Sequence, residues 1–113
     1  MAITQAMCTS FKSEILQEGH QLATDTIKIA LYTSSASLDA TTTAYSSSNE
    51  VSGTGYTATG VTLTSTAVST TGTTAHFDAD DPTWTSANFT ANGALIYNSS
   101  NSNKAIAVLA FGG

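Results

Sequence analysis

Arginine is absent from this chain, and three lysines stand against eight acidic residues, a formal net charge of −5. A surface that neutralises phosphates needs cations, so this balance excludes nucleic acid as a partner and disfavours an anionic membrane. Cysteine is scarce as well: Cys8 alone permits no internal disulfide and no C-x-x-C metal knuckle. Charges of both signs make up 10% of the 113 residues, against roughly 25% in an ordinary soluble domain. No apolar run approaches the roughly 20 residues that cross a bilayer, and the opening MAITQAMCTSFKSE lacks the basic start and apolar stretch of a secretory leader. The expectation is a soluble protein made in a cytoplasm.

Hydroxyl side chains take the place of the missing charges. Thr and Ser supply about a third of the chain, and β-branched Thr suits a half-buried pleated surface. The length allows one domain, residues 1–113, with a single core. Ile3, Met7, Phe11 and Ile15 recur every four residues, which predicts a helical segment over residues 1–19 with Gly19 as its terminator. That stripe could face the protein's own core or dock on a partner chain. Beyond it the period changes to two. TIKIALY sets Ile27, Ile29 and Leu31 on one face, GVTLTSTAVS alternates Val61 and Leu63 with threonines, and TTAHFDA aligns Ala75, Phe77 and Ala79. Asn92-Gly93 predicts a type I′ hairpin turn, and KAIAVLAFGG is apolar on both faces, as a covered central strand is. The expected fold is mainly β: an antiparallel β-sandwich or small barrel over residues 26–113, with one N-terminal α-helix. The polar stretch SSASLDATTTAYSSSNE is longer than most loops, so it should carry function or lie against a neighbour.

Chemistry-bearing patterns are weak. Gly53, Gly55 and Gly60 in EVSGTGYTATGVTLTST have a spacing that fits no phosphate-binding fingerprint, and a strand pattern follows them where a helix would be needed. In HFDADDPTW, alternate residues His76, Asp78 and Asp80 would share a strand face and could hold a divalent cation. The competing reading is a solvated face ending in an Asp-Pro turn, and it is preferred, so no metal is assigned. Cys8 and His20 would lie roughly 18 Å apart on one helix, too far for a thiol dyad. No catalytic residue and no cofactor follow, and the chain is not expected to be an enzyme.

The segments CTSFKSEILQEG, TIKIALYTSSASLDATTTAY, NEVSGTGYTATG, NGALIYN and KAIAVLAFG, in this order over nearly the whole chain, resemble a family of short virion proteins of tailed bacteriophages. KIALYTSSA and NEVSGTGYTA are the most specific of them. The resemblance implies a virion structural protein, foremost a capsid decoration (cement) protein and second a tail or neck component. Its partners would be the major capsid protein or other virion subunits, with homo-oligomerisation expected, and its location the virion. Contact residues would come from the apolar stripe, Ile3, Met7 and Phe11, and from the polar loop around Leu38 and Tyr45. An alternative is a glycan-contacting surface module that uses Tyr45, Tyr56 and Trp84 as stacking platforms.

Overall fold

Strand β2, Ile27–Tyr32, is buried along nearly its whole length, because Ile29 and Leu31 fill one face of the sheet while Ala30 and Tyr32 fill the other. The computed structural model describes residues 3–17, 20, 22, 24–64, 66–79 and 89–111. In chain order these form β1 (Ala6–Met7), α1 (Thr9–Leu16), β2, β3 (Val61–Thr62), β4 (Ala67–Thr71), β5 (Thr74–Asp78), β6 (Gly93–Asn98) and β7 (Lys104–Ala110). The protein is mainly β, with two antiparallel sheets and one short helix, as in a small β-sandwich. The larger sheet runs β1-β7-β6-β2-β3, and β4 and β5 make a separate two-stranded sheet.

Both faces of the large sheet are covered. On one, Leu95, Tyr97, Val108, Ala30 and Tyr32 pack under Cys8, Phe11, Ala36 and Leu38. On the other, Ile29, Leu31 and Ala94 pack with Val51, Tyr56 and Phe89. Two-sided burial explains why GALIYN and KAIAVLA read as nearly continuous apolar runs. A bulge interrupts the β6–β7 register: Ile96 faces Ala107 and Tyr97 faces Ala105, which leaves Ile106 without a partner.

Two local expectations are corrected. The helix begins at Thr9, and the stripe before it is extended: Ile3 bridges Leu38, and Ala6–Met7 pair with β7. Strand β7 would otherwise present an open edge there, and residues 5–8 satisfy its backbone groups, from the Gln5 side chain on the Ala110 N–H to the Cys8 N–H on the Ile106 carbonyl at 2.9 Å. Gly19 lies outside the described residues. Asn92-Gly93 is not a hairpin turn either. Gly93 is the first residue of β6, paired with Tyr32 on one side and Ala110 on the other. It is glycine for want of room, since a Cβ there would stand 2.7 Å from both the Ile3 side chain and the Leu109 carbonyl. The two-residue hairpin lies instead at Gly72-Thr73, between β4 and β5. Gly72 alone has positive φ (60°), the pattern of a type II′ turn.

Candidate functional site

Three features of the folded chain gather side chains capable of chemistry or recognition. The first is an apolar groove of about 590 Å³ between α1, the β6–β7 bulge and the β4–β5 hairpin. Ile96, Ile106 and Ala107 form its floor, α1 gives Phe11, Ile15 and Leu16 to one wall, and the β4–β5 hairpin gives Val68, Ala75 and Phe77 to the other. The bulge adds Ile106 to this floor. Among the described residues, most of the large apolar side chains that remain exposed line the groove: Met7 (51%), Ile15 (43%), Leu16 (86%) and Val68 (53%). Such clustering differs from the scattered single exposures normal on a protein surface.

The second feature is a polar array at one end of the groove. His20 Nε2 lies 2.8 Å from Glu14 Oε1, and its Nδ1 is 3.0 Å from Asn98 Nδ2. Asn98 Oδ1 accepts from the Ser100 N–H, and its Nδ2 also donates to Asp25 at 2.8 Å, so the amide orientation is fixed. His20 therefore accepts at Nδ1 and donates from Nε2 to Glu14. The Lys104 ammonium lies 3.8 Å from the other Glu14 oxygen. Both ring nitrogens are occupied, so His20 does not pair with Cys8, and burial pushes the Cys8 thiol up, away from the reactive thiolate.

The third feature ties down the long polar loop. Glu50 accepts from the Tyr45 hydroxyl at 2.6 Å, from the Tyr56 hydroxyl, and from the Thr59 N–H at 2.9 Å. Thr59 sits at φ 79°, costly for a β-branched residue. Its carbonyl takes the Tyr97 hydroxyl at 2.6 Å and its side chain the Lys28 ammonium at 2.9 Å, which offset that cost. The Tyr32 hydroxyl reaches the Ser46 carbonyl at 2.6 Å. All four tyrosines of the chain thus hold residues 45–59 on the sheet.

Most of the sequence-predicted contact residues are spent inside the chain. Phe11 and Leu38 are buried in the core, and Ile3 and Tyr45 pack against it, Tyr45 stacked on Tyr97 at 4.8 Å. Met7 remains exposed at the groove. The N-terminal stripe, which could have faced a partner or the core, thus serves the core through Ile3, Cys8 and Phe11. Of the metal candidates, His76 and Asp78 lie on β5 opposite Ser69 and Ala67, and Asp80 lies outside the described residues. Among the described residues no group of three His, Cys, Asp or Glu is placed to hold a metal ion, and no helix is long and apolar enough to cross a membrane. Of the glycan platforms, Tyr45 and Tyr56 spend their hydroxyls on Glu50 and their rings on Tyr97 and Phe89, and Trp84 lies outside the described residues. Comparison with protein families, with curated proteins and with solved structures found no match to this chain.

Sequence reasoning missed the groove and the His20 array. The array joins residues 78 apart in the chain, so only the strand pairing brings them together. The groove had one readable trace, the exposed ends of the apolar stripe at Met7 and Ile15.

Proposed function

We propose that this chain is a structural protein of a tailed-phage virion, working as a capsid decoration protein that packs on the assembled shell. The observation that carries the reading beyond sequence resemblance is the groove, where exposed Met7, Ile15, Leu16 and Val68 gather in one place, four of the five large exposed apolar side chains among the described residues. Charges are depleted from the cores of interfaces, and Thr and Ser lose less side-chain entropy than Lys or Glu when a neighbour orders them. A protein that binds the assembled lattice and not the free subunits stabilises the lattice by mass action. Tail or neck placement is the second reading and uses the same surface.

The test is the amount of this protein in purified particles, from stained bands scaled to the major capsid protein. On the order of hundreds of copies per particle indicates the shell, and a few tens or fewer a tail or neck ring. Its absence from purified particles would overturn both.

A further inference from the structure

Strand β4, Ala67-Val-Ser-Thr-Thr71, is regular in conformation and exposed at every residue. Among the described residues its only strand partner is β5, and no strand lies along the other edge of β4. The two-residue turn at Gly72-Thr73 makes Thr71–Thr74 a hydrogen-bonded pair, and pairs alternate from there. Thr71, Ser69 and Ala67 therefore bond to β5, while the N–H and C=O groups of Val68 and Thr70 point out along the open edge.

Natural proteins protect such edges with Lys, Pro, inward charges or a bulge, and β4 has none of these. The surrounding sequence is equally bare of charge. From Val51 through Phe77 there is no Asp, Glu, Lys or Arg, the longest such stretch in the chain, and β3, β4 and most of β5 fall within it. In a chain of net charge −5, this is the region where a second copy meets the least repulsion.

We propose that copies of this chain join through β4, edge to edge and antiparallel about a two-fold axis at Ser69. In that register Val68 of one copy exchanges both backbone bonds with Thr70 of the other, and each Ser69 stands directly opposite its equivalent. The pairing turns two marginal two-stranded ribbons into one continuous sheet. Val68, Ala75 and Phe77 share the groove face of each hairpin, so the two apolar walls become continuous across the axis. This deepens the assembly role proposed above and rests on it for its biological meaning, although the pairing itself is read from β4 alone.

Sedimentation equilibrium of the purified protein, with far-ultraviolet circular dichroism as the check on folding, tests the pairing. The wild type is expected to be dimeric or larger at micromolar to tens of micromolar concentration. Ser69→Lys and Ser69→Glu, each alone, place like charges face to face and should weaken association at least about fivefold. An equimolar mixture of the two should associate again, as a mixed pair. Thr70→Pro removes an outward N–H without touching the β4–β5 ladder and should also favour monomer. A monomeric wild type, a single-charge variant that associates as tightly as wild type, or a mixture no tighter than its components would overturn the inference. Failure of the virion reading looks different: the β4-dependent dimer forms, but the protein is missing from purified particles.

Discussion

Residues 33–60 contain no regular strand or helix, yet every turn of them is fastened: Val51 donates to the Leu31 carbonyl at 2.9 Å, Thr33 to Asn49 at 3.0 Å, and Glu50 collects two tyrosine hydroxyls and a backbone amide. Strands β4 and β5 form a regular ladder, yet β4 is exposed throughout, and the two strands contact each other far more than any other element. Regularity and attachment are therefore separate properties. A segment is held by where its polar groups and apolar side chains find partners, and the β4–β5 hairpin has its own ladder and Phe77 packed against the core.

The largest expected break in this comparison is Gly60→Ala. At φ 87° a Cβ would stand 2.0 Å from the Ile29 carbonyl oxygen, a backbone atom that cannot swing aside. A loss of about 4 kcal/mol or more is expected, lowering the melting temperature by at least about 15 °C or leaving no folded protein. A drop below about 4 °C would mean that the loop is not pressed on β2.

Glu50→Gln comes next. The amide keeps one acceptor but turns an NH2 toward the remaining donors, at an expected cost of about 2 kcal/mol and about 10 °C in melting temperature. An unchanged midpoint would show that the carboxylate does not pin the loop.

The same cluster fixes an alkaline limit. Burial first, and then the Glu50 carboxylate, push the Tyr45 and Tyr56 hydroxyls well above the usual tyrosine range; burial does the same to Tyr32 and raises Tyr97 as well. A folded-state pKa above the unfolded value favours the protonated fold. Its contribution is whole below about pH 10, where free tyrosine ionises, and is lost as pH rises beyond that. Tyrosinate absorbance should therefore appear together with the loss of circular dichroism, in one step above about pH 10. Gradual ionisation near pH 10 in a protein that stays folded would contradict the buried cluster.

Gly72→Ala is the smallest effect and the control for the first. Gly72 also has positive φ (60°), but its Cβ would meet nothing within 4 Å. Only the backbone preference is lost, about 1–2 kcal/mol and roughly 4–8 °C.

Part of the sheet structure was legible because burial writes itself as apolar patterning, and β2, β5 and β7 fell where TIKIALY, TTAHFDA and KAIAVLAFGG predicted. The turn was misplaced because Asn92-Gly93 carries the strongest local hairpin signal, while Gly93 is needed for clearance from Ile3, 90 residues away in the chain. Local rules contain no term for that. Gly72 was overlooked because Thr-Gly-Thr is a poor match to the favoured Asn-Gly pair. The stripe from Ile3 to Ile15 mixes extended and helical residues whose spacing of four satisfies both periods. The Glu50 cluster was illegible because the path of an irregular loop is set by its tertiary partners, and the open edge of β4 became visible only once strand order was known.

Residue-resolved amide hydrogen exchange, recorded at two protein concentrations, tests the central claim that the irregular loop is fixed and the regular β4 edge is free to bind a second copy. The loop amide of Val51 should exchange as slowly as Leu95 and Val108 of the central strands at both concentrations. The outward amides of Val68 and Thr70 should exchange almost unprotected in dilute solution and slow markedly in concentrated solution. Protection of Val68 and Thr70 equal to that of β6 in the dilute sample, or a Val51 amide that exchanges freely, would contradict the account.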